Sequence, residues 1–359
     1  MEGWRPISLD PYATRHHLLE GLTLCGGFFL CLALVNSQRR VVLLLQVLVF
    51  SGTFQAVYGA FMVLSGLEYG FLVEKYSGRG VATGTFVNRN HLAGYLNMCL
   101  AAGIGLLLSQ LATRSPRNWR ERARAWLQLL LSPKMRLRIY IAIMVVTLVL
   151  TRARMGNIAF FTALAVAGLI ALYASRQIGS SYNFNWRLAI FLASLFLVDM
   201  LILGKWFGFD ELLERLSQTN APQEARVQSS AYAADYLQAF PLTGSGAGSF
   251  YGVFQNFQQP DLRGLYLHAH NDYLEFAVEL GVPAAVLLGA ILPWAGFTAY
   301  QLQRRENPLA RGVGFAVTMT LVWVTMHSAT DFNLQIAANS LTFLTLLALT
   351  FCCRGLAVK

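Results

Sequence analysis

Apolar residues in this chain do not alternate with polar ones. They come in long unbroken runs separated by short polar clusters. Runs long enough to cross about 30 Å of hydrocarbon lie at about 18–35, 41–64, 91–111, 156–174, 188–204, 276–300, 312–327 and 334–353, and a shorter one at about 138–151 makes nine. The pattern predicts an all-α, polytopic helical membrane protein of about nine transmembrane helices, a single transmembrane domain over 1–359. One connection is far longer than the rest, at about 205–273. Within it "FDELLERLSQTN" (209–220) and "EARVQSSAYAADYLQAF" (224–240) read as amphipathic helices, followed by the Gly-rich "PLTGSGAGSF" (241–250). A connection of that length with its own helices is expected to form a structured cap over the bundle. "GSGAGS" lacks the GxGxxG spacing, the preceding strand and the Walker lysine of a phosphate loop, so it reads as a flexible turn.

Composition agrees. The chain is 55% hydrophobic and 13% charged, with a mean hydropathy of +0.48; a soluble domain carries roughly 25% charged residues. The net charge of +10 follows from topology, so it calls for no nucleic acid. With the C-terminus in the cytoplasm, 17 of the 28 Lys and Arg residues fall in 36–40, 112–138, 175–187, 301–311 and 354–359, against two acids, Glu121 and Glu306. By the positive-inside rule the long connection then faces outward, into the periplasm or its equivalent. "RNWRERARAWLQLLL" (117–131) reads as a basic amphipathic helix on the anionic inner leaflet. The five cysteines lie in or beside predicted helices, which suggests neither a disulfide framework nor a thiolate zinc site. The polar first 17 residues have no signal-peptide order, and nine spans put the N-terminus outside, so upstream helices are expected to precede this chain.

Four polar clusters remain, all on the outward side. "LHAHNDYLEFAVELG" (267–281) has Asp272 followed three residues later by Glu275, a capping-box pattern, which sets His270 and Asn271 just ahead of a helix N-terminus that favours an anion. His270 is a candidate base, and Glu279 reads as a carboxylate one turn inside a membrane helix. His268 and His270 form an HxH pair, but no spacing supplies a third ligand from Glu275, Asp331 or His327, so no metal or other cofactor is expected. In "TRARMGN" (151–157) the preceding run of some 13 residues would leave Arg152 and Arg154 below the outer surface, an anion site suited to phosphate. Arg89 and Asn90 in "NRNH" (88–91), Arg226 in the long connection, and Asp331 in "HSATDFN" (327–333) complete the inventory. Several arginines, a histidine and carboxylates fit recognition of a phosphate-bearing lipid with acid–base chemistry.

"HAHNDYLEFAVELG" after "PLTGSGAGSF", with "GTFVNRNHLAGYL", "LTRARMGN" and "HSATDFNLQIAANSLTFL", resembles the Wzy-C signature of the O-antigen ligase and O-antigen polymerase superfamily, from about residue 4 to 350. The resemblance implies a GT-C-like membrane glycosyltransferase that works without a metal, inverts the anomeric carbon and faces the periplasm. It would move a glycan from undecaprenyl pyrophosphate to lipid A–core, to a lipid-linked glycan, or to a protein Ser or Thr. The family's histidine falls on His270 and its arginines on Arg154 and Arg226, with Arg89 a weaker match; Ala153 stands where relatives commonly have Ser. His270 would orient or deprotonate the acceptor hydroxyl, with Glu275 fixing the imidazole or itself acting as base. Asn90, Asn271, Asp272 and Asp331 would support the site. A lipid-linked glycan transporter would instead show internal repeats and mid-membrane charges, of which Asp199 is one candidate. A non-catalytic scaffold would tolerate loss of His270 and Arg154.

Overall fold

The computed structural model describes residues 7–70, 73–110, 133–177, 221–262 and 264–356. The predicted basic helix at 117–131, the span at 188–204 with Asp199, and the segment 209–220 lie outside the described residues. In chain order the elements are α1 (Pro11–Leu34), α2 (Gln38–Ser65), the short strands β1 (Tyr69–Gly70) and β2 (Val73–Glu74), α3 (Arg89–Ser109), α4 (Pro133–Leu150), α5 (Arg154–Gln177) and α6 (Ala221–Ala239). There follow α7 (Phe250–Phe254), α8 (Asp272–Leu280), α9 (Val282–Gly289), α10 (Ile291–Gln303), α11 (Pro308–His327), a 3-10 turn at Asn333–Gln335 and α12 (Ala337–Leu356). β1 and β2 pair antiparallel, Tyr69 opposite Glu74. Among the described residues seven helices are long and apolar enough to span a membrane, α9 and α10 counting together. The protein is a polytopic all-α membrane protein.

The helix ends follow local chemistry. Asp10, Ser37, Asn88 and Asn307 each cap a helix start with a side-chain oxygen, satisfying backbone N–H groups that have no intrahelical partner. Pro11 and Pro308 occupy first-turn positions where the missing N–H is harmless. One expectation is corrected here: α4 begins at Pro133 and has 18 residues, about 27 Å of helix. The helix before Arg152 and Arg154 is therefore not the short one expected, and both arginines are exposed on the protein.

The core is built around α3, buried without interruption from His91 to Leu107. Its principal neighbour is α11, with α2, α4 and α12 also against it. Close packing of α3 on α11 depends on Gly105 and Gly312: a Cβ on Gly105 would lie 2.4 Å from the Gly312 carbonyl oxygen. Small residues that let backbones approach are how helices associate in lipid, where no hydrophobic driving force separates helix from solvent.

A second apolar cluster lies in the long connection. Tyr236, Phe250 and Phe254 are fully buried there with Leu262 and Val278, and Tyr236 stacks on Phe257 with ring centroids 4.9 Å apart. The Gly-rich turn is tightly packed, contrary to its reading as a flexible one. Ser245 N–H donates to the Val278 carbonyl at 3.0 Å and Gly246 N–H to that of Glu279 at 2.9 Å, satisfying carbonyls left open at the end of α8. On its other side Leu9 N–H donates to Ser245 O at 2.8 Å and Thr14 Oγ1 to Ala247 O at 2.9 Å. Gly246 and Gly248 have φ of 112° and 74° and face Ser8, Thr14 and His17 so closely that a Cβ would clash.

Candidate active site

The N-terminal ends of α3, α5 and α8 and the turn between α11 and α12 carry most of the predicted polar residues. α8 starts at Asp272 because Asn271 caps it, the Asn271 side chain accepting from Leu274 N–H at 3.2 Å. This corrects the Asp272–Glu275 capping box. Both acids are free of capping duty and turn to other partners.

Asp272 is 1% exposed. Its Oδ2 accepts from Ser328 Oγ at 2.8 Å and from Leu334 N–H at 3.2 Å, while its own N–H donates to Ser328 O at 2.8 Å. It therefore fastens the start of α8 to the α11–α12 turn. Burial, together with the neighbouring Glu275 and Asp331 carboxylates, pushes its carboxyl well above the usual carboxylate range despite those hydrogen bonds.

Glu275 pairs with His268. His268 Nδ1–H donates to Oε1 at 2.6 Å, and Ala269 N–H donates to Oε2 at 2.8 Å. Glu275 thus ties down the loop that presents His270 without touching the His270 ring. His270 itself faces Asp331, Nδ1 to Oδ1 at 3.4 Å. Asp331 also accepts from Phe332 N–H at 3.0 Å and from Asn90 Nδ2. Burial opposes the charge on Asp331, but the His270 hydrogen bond and the imidazoles of His327, His270 and His91 outweigh it and hold the carboxyl well below the usual range. Two carboxyls of one pocket are therefore pushed in opposite directions, the arrangement that separates acid from base roles. With Nδ1–H turned to Asp331, His270 leaves Nε2 as the lone-pair nitrogen.

His270 and Arg152 are the non-glycine residues with positive φ among the described residues, each at 52°. A left-handed backbone at a non-glycine residue costs roughly 1–2 kcal/mol, and such strain concentrates at functional sites. Arg154 and Arg89 are the first residues of α5 and α3, both exposed. Arg226 lies on α6, with its side chain outside the described part.

One reading changes for Glu279. It ends α8 before the span that starts at Val282, so it is not inside a membrane helix. Its Oε1 accepts from Phe250 N–H at 3.0 Å, capping α7, and burial pushes its carboxyl up to about 7 against the backbone hydrogen bonds from Gly248 and Phe250.

Beneath the histidines runs a buried polar chain of which the sequence reading had marked "HSATDFN", with His327 and Asn333, but neither Asn97 nor Asn339. Asn333 Nδ2 donates to His327 Nδ1 at 2.8 Å, and Asn339 Nδ2 donates to Asn333 Oδ1 at 2.8 Å and to His91 O at 3.1 Å. Asn97 on α3 reaches across to Gly156 O on α5 at 3.2 Å. These bonds join the helix that begins at Arg154, by way of α3, to the turn that carries Asp331. The only hint in the sequence is the density of Asn and His at the ends of apolar runs.

No curated protein matches the chain. Residues 139–289 match the family model described as O-antigen ligase, a segment that includes Arg152, Arg154, Arg226, His268, His270 and Glu275 and leaves Asn90 and Asp331 outside. By that match the segment 139–289 of this helical membrane protein is similar to the O-antigen ligase family.

Proposed function

We propose that this protein works in the assembly of a bacterial surface polysaccharide, transferring a glycan from undecaprenyl pyrophosphate to an acceptor hydroxyl at the periplasmic face of the inner membrane. The observation that carries the reading is the His270–Asp331 pair, a strained imidazole turned towards a buried carboxylate at 3.4 Å. It stands in the same outward cluster as the first residues of α3 and α5, which are arginines. The family match to O-antigen ligase supports the class of reaction.

His270 Nε2 takes the proton of the acceptor hydroxyl as that oxygen attacks the anomeric carbon. The bond from this carbon to the phosphate oxygen breaks, its electron pair leaves with the pyrophosphate, and the anomeric carbon inverts. Asp331 holds the Nδ1–H tautomer and stabilises the imidazolium as it forms, by the logic of acid–histidine pairs elsewhere. Arg154, Arg226 and Arg89 neutralise the departing charge, aided by the N-terminal dipoles of α3 and α5. The acceptor is lipid A–core or a second lipid-linked glycan, and the membrane lipids hold the donor's tail. Glu275 and Asp272 set the geometry around the histidine.

The test is to delete the gene, complement with wild type or His270→Ala in the full coding region, and separate lipid-linked and surface glycans. Single repeats accumulating with the variant identify a polymerase. Full-length polymer stranded on the lipid carrier identifies a ligase. A normal ladder at normal protein level overturns the role of His270.

A further inference from the structure

Three imidazoles meet on the phenyl ring of Phe332. His268 stacks on it with centroids 4.0 Å apart and planes 16° apart. His270 stands against it at 4.9 Å and 68°, and His91, from α3, at 4.7 Å and 75°. Phe332 is 9% exposed and follows Asp331 directly. Its ring therefore sits between the two His–carboxylate pairs.

Hydrogen bonding alone holds the His270 ring loosely. The Nδ1–Asp331 distance of 3.4 Å is at the outer limit of a hydrogen bond, and the same oxygen already accepts from Phe332 N–H at 3.0 Å. The backbone at His270 is in the left-handed region, which most residues leave when free to do so. The ring on which His270 rests is in turn set by His268, and Glu275 holds His268 at 2.6 Å. We infer that Phe332 is a positioning residue that transmits the Glu275–His268 pair to His270, fixing the orientation of that imidazole. Glu275 then acts on His270 without contacting it. The effect on catalysis rests on the reading of His270 as the base.

Removing the phenyl takes away the surface on which both imidazoles rest and leaves His270 free to turn. Asp331 on the same turn, Glu275 and Asp272 on α8, His91 on α3 and His327 on α11 also face this pocket. All remain in a Phe332 variant, so a change at His270 reports the ring.

The test uses the purified full chain in nanodiscs. Carbethoxylation of His268 and His270 by diethyl pyrocarbonate is followed at one fixed pH, peptide by peptide, for wild type, Phe332→Leu and Phe332→Tyr, beside glycan transfer. In Phe332→Leu His270 is labelled at least about twofold faster as its ring comes free of the phenyl. Transfer drops about tenfold in kcat with donor KM little changed, and Phe332→Tyr restores both. An unmoved His270 labelling rate overturns the inference. If Phe332→Leu does not fold, Phe332→Met, a flexible side chain of similar volume, carries the same comparison. Normal transfer by His270→Ala would sink the glycosyl-transfer reading and leave the labelling comparison standing, so the two failures are distinguishable.

Discussion

The carboxylate of Glu275 grips His268 at 2.6 Å and leaves His270 to Asp331. Two histidines separated by one alanine end on different acids because the backbone reverses at His270, with φ of 52°. Glu275 is local, on α8, whereas Asp331 comes from the α11–α12 turn.

On the proposed mechanism the acid that matters most to the chemistry is Asp331. Asp331→Asn should lower transfer by about 10²–10⁴-fold, the range of a lost acid–base function, at normal protein level in the membrane. Glu275→Gln, which loosens only the loop, should lose about tenfold. Rates of glycan transfer in isolated membranes rank the two, and the reverse order would restore Glu275 as the base.

At position 154 charge alone should not suffice. Arg154→Lys keeps the positive charge at the start of α5 but loses the planar fork that grips a phosphate with two bonds. Transfer at low donor concentration should fall at least about tenfold, close to the loss in Arg154→Ala. Full activity in the lysine variant would mean that Arg154 supplies only a field.

Thermal stability should respond to Glu279. Its carboxyl is raised from 4.5 to about 7, so the folded protein holds this proton more tightly than the unfolded chain. The contribution is fully present below about pH 4.5 and is lost as pH rises through about 7, a difference of order 3 kcal/mol. Wild type should therefore lose Tm across that window, and Glu279→Gln, neutral throughout, should show a flatter profile by scanning fluorimetry in detergent.

Gly105→Ala tests the frame. Its new Cβ would sit 2.4 Å from the backbone oxygen of Gly312, an atom that cannot swing away, so α3 and α11 must separate. Overpacking of this kind costs about 1–3 kcal/mol. The variant should unfold at a lower temperature and lose transfer activity although it lies at the opposite end of α3 from His91.

The helices were largely readable in the sequence because lipid demands long apolar runs, and the run at 312–327, for instance, lies inside α11, Pro308–His327. The start of α4 was missed because Lys134, Arg136 and Arg138 break the apolar count without breaking the helix. Within the site, the residue types were legible and the pairings were not. Asp272 and Glu275 carry the spacing of a capping box, but Asn271 takes the cap, and a side chain freed from local duty finds its partners through tertiary contact. The link from Asp272 to Ser328 spans 56 residues, and periodicity carries no information over that distance. Phe332 stands inside the polar cluster "HSATDFN" (327–333), but the rings it meets come from α3 and from residues 268 and 270, and no spacing announces contacts at that distance.

The left-handed backbone at His270 also bears on how this chain answers to selection. Glycine would adopt that conformation without strain, so a search for thermostable variants should favour Gly at position 270, along with 152. On the proposed mechanism the sturdier protein would have shed its base at 270. Heat tolerance and activity then pull this one position in opposite directions, and a library screened for stability alone would discard that imidazole.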